Sequence, residues 1–93
     1  MHMIASIRHK GLRRFYETGN AKGLPVQNHD KVRRILAALD AAVEAEDMDL
    51  PGFFFHGLLG EPKRYSVRVT ANYRITFGWQ EVYAIEVDIE DYH

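Results

Sequence analysis

YSVRVTANYRITF, Tyr65–Phe77, reads as two strands joined through Ala71-Asn72. Val67, Val69, Ile75 and Phe77 alternate with Ser66, Arg68, Thr70, Arg74 and Thr76. A period of two sends the apolar set to one face of a sheet and the polar set to the other. Paired as a hairpin, the strands carry Arg68 and Arg74 to one open face. Two guanidiniums fixed on a rigid, half-exposed sheet make a phosphate site, because a planar guanidinium matches phosphate oxygens in a bidentate way. The competing reading is two solvated strand arginines.

Outward from this hairpin the chain adds strands on both sides. Phe53-Phe54-Phe55-His56 begins the strand run, Gly57–Arg64 is a loop holding Gly60 and Pro62, and Val82–Ile89 is a last strand after a turn near Gln80-Glu81. Further upstream the period changes. Leu12, Phe15 and Tyr16 repeat at three-and-four spacing in a helix over Lys10–Thr18, which Gly19-Asn20 ends. A second helix starts at the N-cap Asn28, has Asp30 in its first turn, and carries Val32, Ile35, Leu36, Leu39 and Val43 on one stripe to about Glu44. Met3–Ile7 is a short strand, and Asp47–Gly52 is a connector with a Pro-Gly turn signal. Strand, helix, helix and then several closely connected strands define an α+β domain, 1–93, with a mainly antiparallel sheet.

Composition narrows the function classes. Ninety-three residues with 46% hydrophobic content suit one domain, and the absence of cysteine excludes disulfides, thiol catalysis and thiolate zinc sites. No apolar run approaches the ~20 residues that span a bilayer and no signal-peptide core is visible, so the expected location is cytoplasmic, with no membrane partner. Net charge is −1 but unevenly spread: residues 1–39 hold eight Lys/Arg against two Asp/Glu, and residues 40–52 hold five acids and no base. The basic first half suggests an anionic partner, or simply two helices with ordinary solvated faces. Lys10, Arg13 and Arg14 on the first helix, and Arg33 and Arg34 on the second, lie off the apolar stripes.

The chain ends Glu90-Asp91-Tyr92-His93, which sets a carboxylate, a phenol and an imidazole beside a sheet bearing two arginines; His56 adds a second imidazole. Metal-independent RNA cleavage needs a base for the 2′-hydroxyl proton, cations for the phosphorane and an acid for the leaving 5′-oxygen. Each of these residues also has a structural reading: a chain end for His93, a sheet edge for His56, a packed ring for Tyr92. His56, Asp91 and His93 are metal-ligand types, but no spacing of the HExxH kind supports a metal site, and no cofactor is expected.

MIASIRHKGLRRFYETG (Met3–Gly19), RRILAALDAA (Arg33–Ala42), EDMDLPG (Glu46–Gly52), SVRVTANYRITF (Ser66–Phe77) and the closing EDYH together resemble the HigB-type toxins of the RelE/ParE superfamily across nearly the whole chain. The resemblance implies a RelE-like α+β fold. It also implies the toxin of a type II toxin-antitoxin pair, a ribosome-dependent endoribonuclease that cuts mRNA in the 30S A site. The implied partners are the ribosome and a helix-turn-helix, HigA-type antitoxin, with operator DNA reached only through the antitoxin. His56 matches the family's strand histidine, Arg74 the arginine of its ANWRITF-like strand, Arg68 that of its SVRV version, and Asp91, Tyr92 and His93 its acidic-aromatic-histidine end. Where the family reads like HPLKGD, this chain reads His56-Gly57-Leu58-Leu59-Gly60-Glu61, so the expected lysine is Leu59. Lys63 and Arg64 are the nearby cations that could cover that ground. The superfamily also contains ParE-type toxins that act on DNA gyrase without cutting RNA, and a protein that binds only the ribosome or antitoxin is the related alternative.

Overall fold

Two helices followed by four antiparallel strands make up the chain, described over residues 4–92 in a computed structural model. Helix α1 spans Lys10–Thr18 and α2 spans His29–Ala41; strands β1 (His56–Leu58), β2 (Arg64–Arg68), β3 (Tyr73–Gln80) and β4 (Tyr83–Asp91) lie in the sheet in chain order. The expected α+β architecture is therefore present. Short connections favour this order, because sequential antiparallel strands need only a tight turn between them.

Local chemistry fixes the helix ends. The His9 side chain accepts the Leu12 N–H at 3.1 Å, and Asn28 Oδ1 accepts the Lys31 N–H at 3.2 Å, so both helices begin on a side-chain cap. Gly19 ends α1 in the left-handed region, φ +80°. The α2 stripe stops sooner than its sequence suggests. The helix ends at Ala41, Ala42 is extended, and Val43 is exposed rather than buried. A single 3-10 turn, Ala45–Met48, follows, held by a capping box in which Asp47 Oδ2 accepts the N–H groups of Val43 and Glu44. Met48 is thereby brought into the core from a stretch whose polar residues suggested a plain connector.

Leu12, Phe15, Val32, Ile35, Leu36 and Leu39 from the helices meet Val67, Ile75, Phe77, Val87 and Ile89 from the sheet in one core. Truncating any of the fully buried leucines to alanine removes its transfer energy and leaves a cavity, about 2–5 kcal/mol.

The expected N-terminal strand is reduced. Residues 4–7 run parallel along the outer edge of β4 and touch it in two isolated bridges, Ile4 with Ala84 and Ile7 with Val87. The cause is a bulge in β4. Glu86 sits at φ +47°, the register with β3 shifts between Thr76 and Gly78, and the Glu86 N–H donates to Ser6 Oγ instead of a backbone carbonyl. Strand limits also differ from expectation around β1, which begins at His56 and continues through Leu58, while Phe53 lies in a turn and Phe54 adopts φ +50°.

Candidate functional site

Register brings the hairpin arginines together. Arg68 of β2 pairs directly with Arg74 of β3, and Arg74 pairs with Glu90 of β4. The neighbouring row on the same face runs His56, Ser66, Thr76, Asp88. Because the pleat alternates, both rows lie on the side of the sheet away from the helices. This face is less open than its polar sequence suggests: Ser66 and Thr76 are buried.

Thr76 is covered by a chain of hydrogen bonds. Arg64 Nη2 donates to Thr76 Oγ1 at 3.0 Å and to the Glu86 carbonyl at 2.8 Å, and the Thr76 hydroxyl in turn donates to Glu90 in a short contact. Burial, with Arg8 nearby, pulls the Arg64 pKa down, and Glu90, Asp88 and Glu86 oppose the shift. Arg8 reaches Glu86 at 3.7 Å and Asp88 at 4.0 Å. Arg64 is thus engaged in holding this face together.

Arg68 and Arg74 have a different environment. The Arg68 guanidinium lies 4.6 Å from the Phe54 ring centroid and 5.8 Å from that of Tyr92, and Arg74 lies 5.2 Å from Tyr92. The rings hold the cations without neutralising them. Both Nε atoms are buried and lack a hydrogen-bond partner among the described residues. A buried N–H donor left unpaired is costly, and a ligand oxygen would satisfy it.

Backbone bonds position the rings. The Tyr92 N–H donates to the Asn72 carbonyl at 2.8 Å, tying Tyr92 to the hairpin turn. Thr70 Oγ1 accepts the N–H groups of Asn72 and Tyr73, which fixes that turn. On the other side the Arg68 N–H donates to the Phe53 carbonyl at 2.7 Å, and Lys31 Nζ donates to the Gly52 carbonyl at 2.7 Å. The Lys31 ammonium has its pKa lowered by burial first and then by the charges of Arg34 and Arg68.

Of the residues singled out in the sequence, Arg68, Arg74 and Tyr92 are in mutual contact. His56 is exposed in the adjoining row, opposite Ser66. Asp91 pairs with Tyr73, in the pleat phase of the core residues rather than of the arginines, and ends the ladder. His93 lies outside the described residues. Lys63 and Arg64 part company: Lys63 Nζ sits 5.6 Å from the Tyr65 ring, on the helix-facing phase, while Arg64 joins the Thr76 network. Leu59 is fully exposed. Lys10, Arg13 and Arg14 are exposed on α1; Arg33 and Arg34 are exposed on α2, where they pair with Asp30 at 3.2 and 3.5 Å.

Three neighbours of the arginine pair escaped the sequence reading: Phe54, Lys31 and Glu90. Glu90 was available from the period of two, since it alternates in phase with Asp88. Phe54 and Lys31 were not, because both arrive through the turn at Pro51–Phe53.

The match to known proteins covers this whole arrangement. A family model described as "RelE-like toxin of type II toxin-antitoxin system HigB" matches residues 5–93. Over 92 residues, 98% of this chain and 100% of the other, the sequence is 38% identical to a Proteus vulgaris protein named Endoribonuclease HigB.

Proposed function

Since the chain belongs to the HigB family of RelE-like toxins from type II toxin-antitoxin systems, we propose that it is an endoribonuclease that cuts mRNA on the ribosome by 2′-hydroxyl transesterification. The observation that carries this reading is the direct pairing of Arg68 with Arg74, each with a buried Nε that has no partner among the described residues. Two cations held by rings on a rigid sheet are suited to a phosphorane, which gains negative charge on its way from the phosphodiester.

The 2′-oxygen attacks the adjacent phosphorus, the bond to the 5′-oxygen breaks, and a 2′,3′-cyclic phosphate remains. The nucleophile comes from the RNA, so no enzyme nucleophile is needed. Arg68 and Arg74 bind the non-bridging oxygens. His93 takes the 2′-hydroxyl proton, since Asp91 lies in the other pleat phase, and His56 gives one to the leaving 5′-oxygen. Tyr92, against both guanidiniums, stacks on or orients a base. Lys10, Arg13 and Arg14, with Arg33 and Arg34, contact ribosomal RNA phosphates and set orientation without reading sequence.

A toxin of this kind is paired with an antitoxin, and a helix-turn-helix protein of HigA type is the proposed partner. No helix among the described residues is long and apolar enough to cross a membrane. Translation reactions run with and without the purified protein, with mRNA ends mapped at A-site codons, test the proposal. Cuts within the A-site codon that leave a cyclic phosphate are expected; intact mRNA at saturating protein would overturn it.

A further inference from the structure

Phe54 is an exposed aromatic side chain in an unfavourable backbone conformation. It is 56% exposed and sits at φ +50°, a region that bulky residues seldom occupy. Its neighbours leave it little choice. Lys31 Nζ holds the Gly52 carbonyl from α2, and the Arg68 N–H holds the Phe53 carbonyl from β2. The turn is thus clamped on its N-terminal side, and β1 begins two residues later at His56.

The ring so placed lies against the Arg68 guanidinium at 4.6 Å, the shortest cation–ring distance among the described residues. One face meets the cation, and the exposure leaves apolar ring surface to solvent. Tyr92, on Arg68 and Arg74, is already engaged with both. Phe54 is the more exposed of the two rings beside the arginine pair, Tyr92 being half-buried, and it offers the larger open surface to a planar ligand.

We propose that Phe54 is a base-stacking residue, on which the nucleobase flanking the phosphate held by Arg68 and Arg74 rests in a single-stranded RNA. This rests on the phosphate-binding reading of the arginine pair given above. Every nucleobase offers a π face, so the platform tolerates different sequences while fixing where the phosphate lies. A guanidinium on the far face of the ring does not compete, because it occupies the side the base does not use. Burying the ring under a base also removes exposed apolar surface, which adds to the stacking attraction.

The test uses two arms. In the first, a short single-stranded RNA carries 2-aminopurine on one side or the other of a 2′-O-methyl linkage, which blocks transesterification, and is titrated with the full chain. Quenching at one of the two positions is expected, retained in Phe54→Trp and lost in Phe54→Leu, with melting curves confirming that both variants are folded. No quenching by the unaltered protein at either position, or equal quenching by Phe54→Leu, overturns the stacking role. In the second arm, ribosomes programmed with mRNA bearing an abasic nucleotide at the same position are treated with wild type and Phe54→Leu. Each change alone should weaken half-saturation by about 5- to 150-fold, the span of base–aromatic stacking, and the two together should cost no more than one. Fully additive losses overturn the proposal and leave Phe54 as a cover for Arg68. Quenching without any ribosomal cleavage would keep the stacking site and overturn the nuclease reading instead.

Discussion

Arg68 and Arg74 face one another directly across β2 and β3, two like charges at a cross-strand position where opposite or neutral partners are the stabilising choice. Among the described residues no carboxylate is paired with Arg68 in this row; Glu90 lies on the far side of Arg74, with its oxygen engaged by Thr76. A fold keeps such a pair when the repulsion serves an anion. Replacing Arg74 or Arg68 by methionine should therefore leave the melting temperature unchanged or raise it. Cleavage should fall by about 100-fold or more, the usual loss when one donor to a developing oxyanion is removed. Thermal melts beside single-turnover cleavage check this. A large drop in stability would make the pair structural.

The chain from Arg64 through Thr76 to Glu90 makes a different prediction. Thr76 is buried, and its hydroxyl both accepts from Arg64 and donates to Glu90. Thr76→Val keeps the shape but leaves two polar groups short of a partner, which should cost about 1–3 kcal/mol. In a cycle with Glu90→Gln, urea unfolding should give a coupling of about 0.5–3 kcal/mol, as neighbours in one network do. Simple additivity would mean that the two residues do not act together.

How much of this was legible beforehand differs by kind of signal. The start of α2 and the hairpin could be read because capping chemistry and the period of two are local, whereas α1 showed itself by its apolar spacing and Gly19 and its His9 cap was not read. The same period placed Arg68 and Arg74 on one face, and short connections implied the antiparallel order. The bulge at Glu86 was hidden, since a single left-handed residue leaves no mark on an otherwise alternating strand, and with it went the reduction of the N-terminal strand to two bridges. Val43 misled because it continues the α2 stripe in number but lies beyond the point where Asp47 caps the chain. Phe54 and Lys31 reach the site through the Pro51–Phe53 turn, a tertiary contact that no spacing encodes.

Gly11 should be the glycine least tolerant of a methyl group. A Cβ there would overlap the carbonyl oxygen of Gly23, so α1 and the following loop would have to separate backbone from backbone. Gly11→Ala should destabilise by about 1–3 kcal/mol, despite alanine's better helix propensity. Gly57→Ala is the control. Its Cβ would meet the Lys63 ammonium at 2.9 Å, the movable end of a long side chain, and should change stability little. Equal denaturation midpoints for the two variants would refute the backbone-contact argument.

Tyr16 supplies a pH dependence. Its hydroxyl donates to Asp40 Oδ1 at 2.6 Å, and burial, with that hydrogen bond and the carboxylate's charge, pushes the phenol well above its ordinary range. The neutral phenol is thus favoured in the fold. Its contribution is complete below the unfolded value of about 10 and is lost as the pH climbs from there through the higher folded value. Tyr16→Phe should cost about 1 kcal/mol near neutrality and flatten the alkaline decline in stability. Urea midpoints measured from pH 8 to 11 provide the check; parallel curves for the two proteins would contradict it.

Leu59 offers the most direct gain-of-function test. It stands fully solvated just past the Leu58–Arg64 pair, where the resemblance calls for lysine, and Lys63 is turned to the other side of the sheet over Tyr65. Leu59→Lys removes an exposed apolar side chain and touches nothing buried, so stability should shift by no more than about 0.5 kcal/mol. An added cation at this edge strengthens attraction to the RNA backbone without altering Arg68 or Arg74. Cleavage should rise at limiting protein, and the rise should shrink as salt increases, because a new phosphate contact adds to the counterions released. Rates followed on programmed ribosomes at two ionic strengths decide the point. An unchanged rate at both would show that the arginine pair already supplies the positive charge the substrate requires.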